Sequence, residues 1–258
     1  MKSLAVIPAR YASSRFPGKP LADLNGKPVI EWVYARVRAI DAVDELIVAT
    51  DDERIADAVK GFGGKCMMTR ADHKSGTERC CEVAESLAAA GRLFDVVVNV
   101  QGDEPFVQRD QIESLISAFD NHNTLIATLA KKVTSYDELM SPNNVKVVVG
   151  NNGNALYFSR TPIPFLRDCA PYQWLSRHDF YKHIGIYAYR YATLRNIVQL
   201  PESDIERCEK LEQLRWLAHG FPITVFQTTV ENVGIDTPDD LIRAREVAMK
   251  IQLSSSAI

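Results

Sequence analysis

The sequence predicts an α/β fold: a doubly wound, mainly parallel sheet of Rossmann-like type that carries an antiparallel insertion. Three observations point there. Short apolar runs alternate with helical patterns through the N-terminal part of the chain. One of those runs, "FDVVVNVQ", is apolar almost throughout, as a strand covered on both faces requires. After about Leu125 the rhythm changes to strands of period two around Gly150-Asn151-Asn152-Gly153, a hairpin signal.

The elements follow in order. "SLAVIPA" reads as a strand, and "PVIEWVYARVRAI" as a helix with apolar residues at helical spacing. "DELIVAT" is a second strand. It ends at Asp51 and Asp52, natural caps for the helix "ERIADAVKGF", which stops at Gly63-Gly64. "KCMMT" is a short strand, and "SGTERCCEVAESLAAAG" a helix opened by Ser75 and Thr77 and closed by Gly91. Beyond the alternating run "VKVVVGNNGNALYFSR" comes "FYKHIGIYAYR", rich in aromatic and β-branched residues and read as a strand. "DIERCEKLEQLRWLAHG" returns to helix, "PITVFQT" to strand and "PDDLIRAREVAMKI" to helix. Repeated β-α units imply right-handed crossovers. One compact unit is expected over residues 1–250, with the insertion near 130–190 and a flexible tail over 251–258.

Composition narrows the function. With 258 residues, 46% hydrophobic and 24% charged, the chain is of ordinary soluble globular type. A net charge of -3 argues against a nucleic-acid surface. No run approaches the ~20 apolar residues of a membrane helix, and no charged-then-apolar leader opens the chain. The five cysteines are odd in number and match no zinc spacing, so reduced structural thiols and a cytoplasmic location are expected.

Against that acidic balance, "AVIPARYASSRFPGKPL" is a local exception. Arg10, Arg15 and Lys19 gather within ten positions of the first strand's C-terminal end, the edge where open α/β sheets bind ligands. Arginine grips phosphate oxygens bidentately and lysine supplies a point charge, so the loop suits several phosphates. A solvated basic loop is the plain alternative. "PGKP" and "NGKP" do not complete a Walker loop, since Pro stands where Ser or Thr is needed, and no G-x-G-x-x-G follows the first strand.

"VNVQGDEP" places Asp103 just past an apolar strand, with Gly102 allowing a turn. A carboxylate beside a polyphosphate site is what Mg²⁺ needs, because that ion takes one or two carboxylates together with phosphate oxygens and water. In "NVGIDTPDDL", Asp236 precedes a Thr-Pro helix start; either Asp236 or Thr237 serves as the cap, and the second case leaves Asp236 free. Two carboxylates at two strand ends favour a divalent-metal site over either residue alone.

Together "IPARYASSRFPGKPLADLNGKPVI", "TRADHKSGTER", "VNVQGDEP", "NVKVV", "LYFSR", "HIGIYAYR", "LEQLR" and "GIDTPDDL" resemble the 3-deoxy-manno-octulosonate cytidylyltransferases, the CMP-Kdo synthetases, in that order from about residue 3 to residue 249. The resemblance implies attack of the sugar's anomeric hydroxyl on the α-phosphorus of CTP, activating Kdo for lipopolysaccharide synthesis. It implies that Arg10, Arg15 and Lys19 hold the triphosphate beside Ala9. The stretch Arg70, Ala71, Ser75, Gly76 and Thr77 would face the nucleotide, and Asp103 and Asp236 would hold Mg²⁺. For the acidic sugar it points to Gln101, which also meets CTP, and to Arg160, His183, Tyr187, Glu212 and Gln213. It further implies a homodimer formed through the insertion. A related 2-keto sugar acid such as 8-amino-Kdo is an alternative acceptor. A metal-dependent glycosyltransferase is an alternative class, disfavoured because "GDEP" lacks the second Asp of a D-x-D motif.

Overall fold

Strand β1 (Ser3–Ala9) forms from a run whose Leu4, Ala5, Val6 and Ile7 are fully buried. In the computed structural model, which describes residues 1–12, 16–230 and 234–255, the loop after it ends in a single 3₁₀ turn at Lys19–Leu21. A two-stranded ribbon follows, β2 (Asp23–Leu24) and β3 (Lys27–Pro28), then helix α1 (Val29–Arg38). The alternation continues with β4 (Glu45–Thr50), α2 (Glu53–Gly61), β5 (Cys66–Met68), α3 (Gly76–Ala89), β6 (Val96–Asn99) and α4 (Arg109–Ser117).

The strands of this first unit lie in the order β6-β1-β4-β5, all parallel. From β1 the chain steps outward to β4 and β5, then doubles back past β1 to β6. Right-handed crossovers therefore put α1 and α2 on one face and α3 on the other. The reversal falls between β1 and β6, and there the loops leaving the strand ends diverge and open a crevice.

Cap chemistry sets the helix starts. The Asp52 carboxylate accepts the Arg54 N–H at 3.0 Å, and Ser75 Oγ accepts the Glu78 N–H at 3.2 Å. Asp51 is engaged elsewhere: it pairs at 3.2 Å with Arg79, a fully buried residue of α3.

The chain separates into two compact units, Met1–Glu113 with Asn232–Ile258, and Ser114–Glu231. The second contains β7 (Ile126–Lys132), α5 (Tyr136–Met140), β8 (Lys146–Val149), β9 (Ala155–Ser159), α6 (Trp174–Arg177), β10 (Tyr181–Arg190), α7 (Tyr191–Ile197), α8 (Asp204–Glu209), α9 (Gln213–Ala218) and β11 (Ile223–Thr228). Here β7 runs antiparallel to β10 and parallel to β11, and the β8–β9 hairpin joins through β8 to β10. The predicted insertion, 130–190, lies within this unit. Its core gathers Val133, Leu139, Trp174 and Phe180. The chain ends in α10 (Pro238–Ser255), whose Leu241, Ala244 and Ala248 pack with Val29, Trp32, Phe106 and Ile235 of the first unit.

Three departures from the sequence reading have physical causes. The helix expected over "DIERCEKLEQLRWLAHG" is two, because Lys210 takes a left-handed conformation (φ 53°) and ends α8. The tail expected from residue 251 is helical through Ser255. Elements α4 and β7 carry no Gly or Pro at their boundaries, so nothing in the sequence marks where they start and stop.

Candidate active site

The crevice between the ends of β1 and β6 is a cleft of about 180 Å³ lined by Ala9, Arg10, Lys19, Gln101, Gly102 and Asp103, among others. Its walls are built by close backbone approach. A Cβ on Gly102 would lie 2.9 Å from the Pro8 carbonyl oxygen, so only glycine lets the loop after β6 rest on β1. Gly18 has φ +72°, and a Cβ there would sit 3.1 Å from the Tyr11 ring. Arg54 lies over that same ring, 3.3 Å from its centroid, held by Asp52 at 2.6 Å. The Gly18 N–H also donates to the Tyr11 carbonyl at 2.9 Å, so these two residues are held together. Arg15 lies outside the described residues. A larger cavity of about 540 Å³, lined by Lys27, Glu31, Trp32, Arg36, Ile40 and Arg109 among others, shares no residue with the cleft.

Lys19 stands at the centre of the cleft's charges. Its ammonium donates to Asp103 at 2.5 Å and to Asp236 at 3.2 Å. Thr237, not Asp236, takes the cap: Thr237 Oγ1 accepts the Asp240 N–H at 3.2 Å, and the Asp240 carboxylate accepts the Thr237 N–H at 2.8 Å. The Ile235 N–H donates to the Asp103 carbonyl at 2.9 Å and straps the two carboxylate-bearing segments together. Two carboxylates converging on one cation fit a divalent ion completed by phosphate oxygens and water. Among the described residues no group of three metal-ligating side chains exists, so an all-protein cage is not what this donor set offers.

Arg10 reaches across to the next loop, donating from a terminal guanidinium nitrogen to the His73 carbonyl at 2.7 Å. His73 is itself buried; its ring bonds Glu82 and lies 3.5 Å from Glu78, both on α3. The loop that carries Arg70 and Ala71 is thereby fixed to the helix it precedes. Arg70 points outward, paired with Asp72 at 2.9 Å, while its N–H donates to Glu82 at 3.0 Å. Ser75 caps α3, Thr77 is buried, and Gly76 packs beneath Pro8, where a Cβ would come within 3.0 Å. Residues 70–77 therefore present mostly backbone at the helix start.

The residues expected to meet a sugar acid, Gln101 apart, lie in the second unit. His183 Nε2 is 3.0 Å from Thr128 Oγ1, and its ring packs against Phe158 and Tyr187, with centroids 5.1 and 5.2 Å away. Burial lowers the imidazole to about 3, so the ring is neutral. Tyr187 is buried with a hydroxyl that has no hydrogen-bond partner among the described residues, and burial raises its pKa well above the usual phenol range, helped by Glu212. The strand bulges between Ile184 and Tyr187, and the Thr128 hydroxyl bonds the Ile186 carbonyl at 2.8 Å there. Glu212 opens α9 and Gln213 is buried in its first turn.

Arg160 is more constrained than sequence suggests. Its guanidinium donates to the carbonyls of Glu209 at 2.7 Å, Pro142 at 3.1 Å and Lys210 at 3.4 Å. The sequence does not show how the site residues are held in place: His73 stands behind Arg10, Glu209, which the sequence sets one helical turn from Gln213, stands behind Arg160, and the buried Lys146 ammonium meets the Arg160 carbonyl at 2.6 Å. The signal for Lys146 was available as a lone lysine inside the otherwise apolar run "VKVVV".

Comparison with known proteins shows the family. A family model described as cytidylyltransferase matches residues 4–228. The 3-deoxy-manno-octulosonate cytidylyltransferase of Phocaeicola vulgatus is 56% identical over 247 residues, covering 95% of this chain and 96% of that protein. The enzyme of the same name from Thermodesulfovibrio yellowstonii is 48% identical, covering 97% and 98%. A solved structure of CMP:2-keto-3-deoxy-manno-octonic acid synthetase complexed with CTP superposes with a TM-score of 0.89 at 44% identity, covering 97% of this chain and 99% of the other. With the matched model spanning most of its length, this chain belongs to the cytidylyltransferase family.

Proposed function

We propose that the chain transfers CMP from CTP to the anomeric hydroxyl of 3-deoxy-D-manno-octulosonate (Kdo), giving CMP-Kdo and pyrophosphate. The observation that carries this reading is the Lys19 ammonium gripped by Asp103 and Asp236 beside Arg10, at the edge where the sheet reverses direction. The nucleotide is supported by the similar structure complexed with CTP, and the acceptor by the names of the relatives.

In this reading Arg10 and Lys19, with Arg15, neutralise the β- and γ-phosphates and stabilise the charge that moves onto pyrophosphate as the α-phosphorus is attacked. Ala9, residues 70–77 and Gln101 contact the nucleotide largely through backbone. Mg²⁺, held by Asp103 and Asp236 with phosphate oxygens, would screen phosphate charge and fix its orientation. Arg160 meets the sugar carboxylate with the guanidinium hydrogens its carbonyl partners leave over. Gln101, His183, Tyr187, Glu212 and Gln213 align the hydroxyls; neutral His183 acts there as a hydrogen-bonding group and not as a cation. Positioning and electrostatics carry such a transfer, and no dedicated side-chain base is required.

The product is an activated sugar donor of the kind that lipopolysaccharide assembly consumes, in the cytoplasm. A homodimer would cover exposed apolar side chains of the second unit such as Leu156, Phe165 and Tyr172. The test is pyrophosphate release with CTP and Mg²⁺ across a panel of 2-keto sugar acids including Kdo and 8-amino-Kdo. Kdo-dependent release is expected; turnover of another acid with none for Kdo would overturn the assignment.

A further inference from the structure

Lys146 is fully buried, an unusual place for a lysine. Its Nζ donates to the carbonyls of Ser141 at 2.8 Å, Asn144 at 2.5 Å and Arg160 at 2.6 Å, so all three ammonium hydrogens have acceptors. Those acceptors are main-chain groups. A cation without a carboxylate against it costs more to bury than an apolar side chain of the same length. What the lysine provides is therefore a shape: it draws together the turn before β8 and the residue that follows β9.

That residue is Arg160, and it is fixed at every polar group it owns. Its N–H donates to the Glu209 carboxylate at 2.9 Å, its carbonyl accepts from Lys146, and its guanidinium spans three carbonyls. Glu209 is held in turn by Ser159 Oγ at 2.6 Å. Three of the five guanidinium N–H groups are used in this way, which leaves two to face outward.

We infer that Lys146 is a positioning residue for the sugar-acid end of the reaction, setting the aim of Arg160 on the acceptor's carboxylate. The inference rests on the proposed role of Arg160 and adds the group that enforces it. The charged groups around Lys146 are Arg160 and Glu209 on the β9 side, and Lys182, its register partner on β10, which is paired with Glu138 at 2.6 Å. Burial lowers the Lys146 ammonium to about 8, with Arg160 acting in the same direction and Glu209 against it. Above that value the amine keeps two N–H groups and turns a lone pair toward a carbonyl. One of the three struts is then lost.

The experiment is steady-state kinetics of CMP-Kdo formation from about pH 7 to about pH 9, on either side of the Lys146 value of about 8, varying each substrate in turn. For the wild type, KM for Kdo is expected to rise several-fold across that range while KM for CTP stays level. Lys146→Arg keeps a cation at all these pH values and should remove the rise. Lys146→Met should raise KM for Kdo by about tenfold at neutral pH, the loss of one charge-assisted contact. In an Arg160→Ala background the same change should add little, because the two act as one unit. A level KM for Kdo in the wild type overturns the inference even if no variant folds. So does a parallel rise for both substrates, or a Lys146→Met penalty undiminished by Arg160→Ala. A wild type that leaves Kdo untouched while consuming CTP with another acid refutes the proposed function, and this inference with it.

Discussion

Replacing Lys19 by methionine should separate the triphosphate from the monophosphate. The ammonium now lies between Asp103 and Asp236, with side-chain exposures of 13%, 28% and 48%. In that partly wet setting the ion pairs contribute about 1 kcal/mol or less to folding. The melting temperature should therefore fall by only about 2–4 °C for a chain of this size. Binding is a different matter. A charge-assisted contact to a phosphate contributes roughly 1.5–3 kcal/mol, so CTP affinity should drop by about one to two decades. CMP lacks the β- and γ-phosphates and should bind within about a factor of two of wild type, a change of a few tenths of a kcal/mol. Calorimetric titration with CTP and with CMP, beside a thermal melt, measures all three. Equal losses for the two nucleotides would show that Lys19 shapes the whole pocket and does not hold the triphosphate. A collapse in melting temperature would refute the assignment of a weak structural role.

Three further perturbations probe other parts of the molecule. Asp103→Asn should remove most turnover yet keep the fold, since the Ile235 N–H bond to the residue 103 carbonyl is main-chain; near-normal turnover at saturating Mg²⁺ would reduce Asp103 to a turn residue, as would activity that survives excess chelator. Gly102→Ala forces a methyl to 2.9 Å from the Pro8 carbonyl and should cost about 1–3 kcal/mol in a denaturant titration while weakening CTP; an unchanged midpoint would mean that the loop yields freely. His183 has a folded-state value of about 3 against an ordinary 6.5, so the unfolded chain binds the proton first. Stability should be complete above about pH 6.5 and decline toward pH 3 by up to about 1.4 kcal/mol per unit, and His183→Gln should make that decline shallower in an acid-unfolding titration.

What the sequence made legible was whatever depends on local chemistry. The strand "SLAVIPA", the caps Asp52 and Ser75, and the charged loop before Lys19 each announce themselves within a few residues, because burial, capping and φ are short-range constraints. The break at Lys210 was hidden, since the helical pattern continues through it and the left-handed turn goes with a captured carbonyl one residue earlier. Arg160 shows the same limit from the site's side. Its residue type was readable, but its three carbonyl partners are 18, 49 and 50 positions away. Lys146 stands in the motif "NVKVV" with no legible role, because a buried cation looks like an ordinary strand lysine until its acceptors converge.

The strap between Asp103 and the segment before α10 has a consequence for the order in which the protein comes into being. Lys19 is 84 residues from Asp103 but 217 from Asp236. A chain emerging from the ribosome has every strand of the first unit in hand once β6 is made, and domains begin to fold as they emerge. The second carboxylate arrives only after the whole of the second unit has been synthesised. The cationic loop and Asp103 must therefore coexist for many seconds as a half-formed pair, with the lysine neutralising a single carboxylate. A nascent chain that ends before residue 234 lacks Asp236 and the α10 side chains that pack with Val29, Trp32 and Phe106, so the carboxylate pair around Lys19 is completed last. In this fold the end of the chain closes the site that its beginning opens.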